Sequence, residues 1–221
     1  MLFKMDVCCL KYGVWNVQTP DMGAVNALVT GGYAPLTAMV LSARGFASTA
    51  QAHRYLSCNE PLPNPFCLTD MDLAVGRVRL ALSRGEKIAI FGDYDVDGIT
   101  ATCLLTHYLR GQGADCISYI PGRLEEGYGL NPIAIEQLSK DGVTLIITVD
   151  CGITAVEEAK MCKQLGIDLV ITDHHECKEI LPDAVAVVNP HRPDGGYPHM
   201  NLSGVGVAFK LAAALSGNQE A

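Results

Sequence analysis

From residue 87 onward, short apolar runs alternate with longer segments in which apolar residues recur at helical spacing. The runs predict buried strands and the segments between them predict helices. The predicted strands read KIAIF, CISYI, TLIITV, DLVIT and AVAVV, and the predicted helices cover residues 99–109, 132–139 and 154–165. This alternation is typical of an α/β fold, in which helices flank a parallel sheet.

The helix predicted at residues 154–165 carries its own boundary signals. Thr154 and Glu157 have the spacing of a capping box, and Gly166 follows the last helical residue. The first 86 residues differ, because helical stretches at 47–56 and 71–82 are joined by the proline-rich piece PLPNPF. We therefore predict an N-terminal helical extension over residues 1–86 and an α/β domain over residues 87–221.

Composition narrows the class of protein. The 221 residues are 49% hydrophobic, enough for one full-sized core and a small appended piece. The apolar runs are too short for a membrane span, and MLFKMDVCC lacks the features of a signal peptide, so a cytoplasmic protein with no membrane partner is expected.

The nine cysteines are odd in number and include no C-x-x-C pair, which favours free thiols. A net charge of −8 argues against broad binding to duplex DNA and requires any nucleic acid to be held locally.

Three aspartates follow the first predicted strand, in the segment IAIFGDYDVDGIT. We call Asp93, Asp95 and Asp97 the acidic triplet. Like charges this close raise one another's pKa, so a folded protein keeps them ionised most easily around a divalent cation. An EF-hand loop would need Glu where Leu104 stands and a helix where the strand is predicted. A helix cap is the other alternative, but it accounts for Asp97 alone.

Two further predicted strands end in groups that bind metals. Asp150 ends TLIITV, and Asp173, His174 and His175 follow DLVIT. Ligands of open parallel sheets bind beyond the carboxyl ends of the strands, so these groups and the acidic triplet should meet at one edge. Cys151, beside a carboxylate, is better suited to packing than to nucleophilic attack.

The motifs GDYDVDGIT, TVDCGIT, TDHH and SGVGVAFK, in this order, resemble those of the DHH phosphoesterase superfamily. Within it they are most similar to the RecJ family of single-strand-specific DNA exonucleases, and PGRLEEGYGL and NPHRPDGGYP extend the resemblance over most of the chain. Relatives that act on pyrophosphate, cyclic dinucleotides or short oligonucleotides usually have a histidine in the first motif. This chain opens that motif with Asp93.

The resemblance implies two Mn²⁺ or Mg²⁺ ions and hydrolysis of phosphodiesters, from 5′ to 3′ along single-stranded DNA, in repair and recombination. The implied metal ligands are Asp93, Asp95, Asp97, Asp150 and His174. Asp150 is the candidate to bridge the ions, His175 is assigned to the phosphate, and Asp173 is assigned to orienting a histidine ring. A single-strand-binding protein or a helicase is the expected protein partner.

Other residues are candidates for contact with substrate. Ser203, Gly204 and Gly206 precede a helix-like run, where they would either leave N–H groups for a phosphate or permit close packing. Arg123 is a candidate for contact with the substrate backbone or a base, and Tyr128 for base stacking. Surface or loop roles are expected for the remaining histidines of this region, which are His107, His191 and His199.

In the RecJ family the pattern continues with a further metal-binding aspartate, a second domain and an oligonucleotide-binding fold, so the chain resembles the N-terminal catalytic part. Two alternatives stay open. One is a DHH phosphodiesterase acting on small nucleotides or short oligonucleotides, and the other is a truncated, catalytically weak interaction domain.

Overall fold

A computed structural model describes residues 17–57, 62–122 and 129–217. Its helices are α1 (Met22–Thr30), α2 (Pro35–Ala43), α3 (Thr49–Ser57), α4 (Met71–Arg84), α5 (Val96–Gly111), α6 (Pro132–Lys140), α7 (Val156–Gln164) and α8 (Gly204–Ser216). Its strands are β1 (Lys87–Gly92), β2 (Cys116–Tyr119), β3 (Val143–Val149), β4 (Asp168–Thr172) and β5 (Ala186–Val188). The chain is divided into two compact units, which cover Met1–Glu60 and Pro61–Ala221.

The first unit contains α1, α2 and α3. Asp21 caps α1, because its carboxylate accepts from the N–H groups of Gly23 and Ala24. Pro35 opens α2 at a position where a missing N–H costs nothing. The three helices share a small apolar core formed by Val25, Leu28, Ala38, Leu41 and Ala52.

The second unit is built on one sheet with strand order β2-β1-β3-β4-β5, and every neighbouring pair is parallel. From β1 the sheet grows to β2 in one direction and to β3, β4 and β5 in the other, so the chain order reverses between β1 and β3. Such a reversal opens a crevice at the carboxyl ends of the two strands that flank it, where ligands of this fold class bind. The acidic triplet follows β1 and Asp150 follows β3, so both lie at that crevice.

Helices cover both faces of the sheet. Ile88 and Ile90 of β1 point into the core shared with α4, α5 and α8, whereas Ala89 and Phe91 point into the core shared with α6 and α7. The strands are therefore apolar on both faces, as expected for a buried parallel sheet. The parallel α/β sheet, its flanking helices and the helical N-terminal region are confirmed.

Two helix starts differ from the sequence-based expectations, and the compact units divide at a different place from the predicted domains. The second unit begins before residue 87, because α4 buries Met71 and Val78 in the core of the sheet. The boundary predicted between residues 86 and 87 does not coincide with this division and stays a prediction of where the catalytic domain begins. The capping box is absent, since α7 begins at Val156 after Ala155 and has no side-chain cap, and α5 begins at Val96.

In the part of the chain that the structure describes, no helix is both long and apolar enough to cross a membrane. The cysteines of that part are free thiols, and Cys151 is fully buried, in keeping with a packing role. Burial raises the pKa of the Cys151 thiol well above its usual range, with the charge of Asp173 adding to the effect.

Candidate metal centre

The acidic triplet starts where β1 ends. Asp93 is buried, and Asp95 caps α5 by accepting the N–H of Gly98 at 3.0 Å. A Cβ at position 98 would lie 2.5–2.7 Å from the backbone of Asp93. Only glycine therefore lets the first turn of α5 pack directly against the first aspartate.

Asp97 lies in the first turn of α5 but accepts hydrogen bonds from another helix. Its Oδ2 accepts the N–H of Gly204 and its Oδ1 accepts the N–H of Val205, each at 2.7 Å, and both donors belong to the first turn of α8. The N–H of Gly206 is taken by Oγ of Ser203 at 3.2 Å. The alternative in which Asp97 caps its own helix is wrong, because Asp95 caps α5. The amides suggested for a phosphate are engaged by protein groups, so a substrate role for Ser203, Gly204 and Gly206 stays a prediction.

Asp150 lies at the centre of the site in an unusual conformation. It is 2% exposed and has a φ of 61°, in the left-handed region that a non-glycine residue rarely adopts. Its N–H donates to the carbonyl of Thr172, which holds it at the edge of the sheet. Burial and the charges of Asp97 and Asp95 raise the pKa of Asp150 to about 7.

The loop after β4 is organised by Asp173. Its Oδ1 accepts the N–H groups of His174 and His175 and lies 2.7 Å from Nδ1 of His175, while its Oδ2 accepts the N–H of Ile153. Burial opposes ionisation of Asp173, but these bonds outweigh it and lower the pKa of the carboxyl. The bond to Asp173 raises the pKa of His175 against the opposing effect of burial. Asp173 thus fixes the His175 ring and favours its protonated form.

The three strand ends meet. The described residues form two sets of three possible ligand atoms, and within each set the atoms lie within 4.8 Å of one another. One set comes from Asp150, His174 and His175, and the other from Asp93, Asp95 and Asp150. Nε2 of His174 is 3.0 Å from Oδ1 of Asp150 and 3.6 Å from Oδ2 of Asp97. Asp150 belongs to both sets. That its carboxylate would bridge two ions stays a prediction.

The chemistry of these groups fits divalent cations. Oδ1 of Asp150 is buried and accepts no hydrogen bond from the described residues, although Nε2 of His174 is close by. Two ligand atoms that approach each other without a hydrogen bond are arranged as they would be around a common ion. Carboxylate oxygens with one or two imidazoles are the donors that Mn²⁺ accepts, and carboxylates are those that Mg²⁺ prefers.

Sequence reasoning missed Asn189, which follows β5. Its side chain is 2% exposed, donates to the carbonyl of His175 at 2.9 Å and accepts the N–H of His191 at 2.7 Å. Asn189 therefore holds the histidine loop from the neighbouring strand. The strand-end rule that located Asp150 could have found it, since Asn189 also stands directly after an apolar run.

Of the other candidates, only the three remaining histidines lie in the part of the chain that the structure describes. Arg123 and Tyr128 lie outside the described residues. His107 and His199 are exposed, and His191 has Nδ1 3.5 Å from a carboxylate oxygen of Glu176. None of these three histidines belongs to either set of ligand atoms in the described part of the chain.

The chain is similar to a known protein family and to characterised relatives. The profile of the DHH family, N-terminal domain, matches residues 87–221. The single-stranded-DNA-specific exonuclease RecJ of Bacillus subtilis (strain 168) is 45% identical over 205 residues, which are 92% of this chain and 26% of that protein. The enzyme of the same name from Escherichia coli (strain K12) is 37% identical over 182 residues, 82% of this chain and 31% of that one. The chain thus spans between a quarter and a third of the length of these relatives.

Two solved structures are similar in fold as well as in sequence. A crystal structure of exonuclease RecJ bound to manganese superimposes with a TM-score of 0.61 and 37% identity, over 68% of this chain and 38% of that one. RecJ of Thermus thermophilus in complex with Mn²⁺ gives a TM-score of 0.66 and 28% identity, over 90% of this chain and 28% of that one.

Proposed function

Because this chain belongs to the DHH family, we propose that it forms the metal-dependent catalytic domain of an exonuclease that hydrolyses single-stranded DNA from its 5′ end. The observation that carries the proposal is the convergence of the acidic triplet, Asp150 and His174 from three strand ends. The relatives described as single-stranded-DNA-specific exonucleases, and the manganese in similar structures, support the substrate and the metal. A cytoplasmic location and a role in repair and recombination belong to the same proposal.

The acidic triplet, Asp150 and His174 would hold two Mn²⁺ or Mg²⁺ ions. Bound cations would lower the pKa of a water molecule and neutralise charge on the phosphate. Side chains of the protein would bind the phosphate and transfer protons. Asp173 fixes Nδ1 of His175, so the N–H at Nε2, the other ring nitrogen, can donate to a phosphate oxygen and supply a proton where the leaving oxygen develops charge. Burial and the neighbouring carboxylates raise the pKa of the Asp150 carboxyl to about 7, so this group would have to release any bound proton in order to hold an ion.

Two alternative functions are compatible with the same fold. A phosphodiesterase that acts on small nucleotides would use the same metal centre as an exonuclease that acts on single-stranded DNA. An interaction domain without activity would not need the ligand set, yet the carboxylates and both histidines are in place. A single-strand-binding protein or a helicase remains the proposed protein partner.

The test is a Mn²⁺-dependent assay on oligonucleotides labelled at the 5′ or the 3′ end, with each labelled strand offered separately as a single strand and in the matching duplex. We expect mononucleotide release from the single strand and little from the duplex. His175→Ala should lower the rate by about 10²–10⁴-fold because it removes a proton donor, whereas His191→Ala should stay near wild type. Cleavage of dinucleotides alone would favour the small-substrate alternative, and equal rates for the two variants would remove His175 from the mechanism.

A further inference from the structure

The first turn of α8 donates its leading amides to an acidic side chain rather than to a ligand. The N–H groups of Gly204 and Val205 each lie 2.7 Å from a separate oxygen of Asp97. The next N–H, of Gly206, is satisfied by Ser203. A phosphate could reach these amides only by displacing Asp97, and it would then face the nearby carboxylates of Asp95 and Asp150.

Asp97 is placed to serve two partners at once. A carboxylate oxygen offers two lone pairs, so it can accept an amide N–H and still face a cation. Oδ2 of Asp97 accepts from Gly204 and is also 3.6 Å from Nε2 of His174, a predicted metal ligand. The N-terminus of α8 is the positive end of the helix dipole, a position where acidic side chains are stabilising.

A second observation ties α8 to the metal centre independently of Asp97. A Cβ at position 204 would overlap Oδ1 of Asp150, the buried oxygen that accepts no hydrogen bond from the described residues. The helix is therefore packed directly against an atom that is suited to bind a cation. An approach this close is compatible only with glycine at position 204.

We propose that the amides of Gly204 and Val205 position Asp97 as a metal ligand and do not bind a substrate phosphate. This inference rests on the proposed metal-dependent function. If it is correct, α8, the last helix in the described part of the chain, contributes to metal affinity by orienting Asp97. Groups that orient metal ligands typically change affinity by about 10- to 100-fold when they are removed.

The test is calorimetric titration of Mn²⁺ into Val205→Pro, with Val205→Ala as the matched control. Both variants lose the valine side chain, but only proline removes the N–H that Asp97 accepts. Proline is tolerated in the first turn of a helix, and Gly204 before it has no Cβ to clash with the ring. We expect the affinity of Val205→Pro to be about 10-fold weaker than that of Val205→Ala, with similar melting temperatures in EDTA.

Equal Mn²⁺ affinities of the two variants would overturn the inference. If, in addition, Mn²⁺-loaded Val205→Pro bound inorganic phosphate more weakly than Mn²⁺-loaded Val205→Ala, the amide of Val205 would be assigned to phosphate instead. If Val205→Pro does not fold, replacing Val205 by its α-hydroxy acid deletes the same N–H without the ring, and the same comparison is made. Failure of wild type to bind Mn²⁺ would instead contradict the proposed function, so the two failures are distinguishable.

Discussion

Asp150 combines a buried carboxylate with a left-handed backbone, and both features cost stability in the absence of a cation. A carboxyl whose folded-state pKa is raised contributes stability in its protonated form. That contribution is complete below the ordinary value of 3.8 and is lost as pH rises through about 7. The metal-free protein should therefore be less stable at pH 8 than at pH 6, and strain of this kind is typical of functional sites.

Asp150→Asn removes the buried charge and places at this position a residue that tolerates positive φ. We expect the metal-free variant to be more stable than wild type at pH 8 by about 2 kcal/mol, or roughly 5 °C in melting temperature. Mn²⁺ should raise the melting temperature of wild type but not of the variant. Thermal melts in EDTA and in Mn²⁺ measure both effects, with the exposed Asp115→Asn as a control. A variant that Mn²⁺ stabilises as much as wild type would exclude Asp150 as a ligand.

At the scale of elements, the site depends on how closely α8 approaches the end of β3. An alanine Cβ at position 204 would overlap the Asp150 side chain, whereas at position 206 it would lie 3.4 Å from Oγ of Ser203, close to ordinary contact. We expect Gly204→Ala to weaken Mn²⁺ binding at least about 10-fold, and Gly206→Ala to leave it near wild type. Titration calorimetry compares the two. Equal affinities would mean that α8 can shift without disturbing the ligands.

A second link between elements lies at the opposite end of the sheet. The guanidinium of Arg77, on α4, bonds to Glu86 just before β1 and to Asp168 at the start of β4. Burial opposes ionisation of Glu86, but the bond from Arg77 outweighs it and lowers the pKa of the carboxyl. A lowered folded-state pKa gives stability that is present above the ordinary value of 4.5 and is lost as pH falls through the folded-state value.

Glu86→Gln should therefore destabilise the protein at pH 7, by roughly 2 kcal/mol, since it leaves the Arg77 side chain, which is 9% exposed, with a weaker partner. The difference from wild type should shrink as pH falls below 4.5. Urea unfolding at several pH values checks this. Glu157→Gln, which breaks the exposed pair with Lys160, is the control and should change stability by less than about 1 kcal/mol. A loss at pH 7 no larger than that of the control would contradict the account.

At the scale of the whole molecule, the sequence predicts what is periodic and local. Apolar runs such as TLIITV are buried on both faces of the sheet, so their positions and the meeting of the strand ends follow from pattern alone. The bond from α8 to Asp97 joins residues more than a hundred positions apart and has no periodic signal. The same holds for the bond between Asn189 and His175 and for the packing of α4 on the sheet.

The central claim is that the ends of β1, β3 and β4 form one metal site. Calorimetric titration of Mn²⁺ into wild type, Asp95→Ala and Asp150→Ala tests it most directly, because it requires no choice of substrate. We expect wild type to bind Mn²⁺ and both substitutions to remove or strongly weaken that binding, with each variant still folded by circular dichroism. Binding that survives both substitutions, or no binding by folded wild type, would contradict the account.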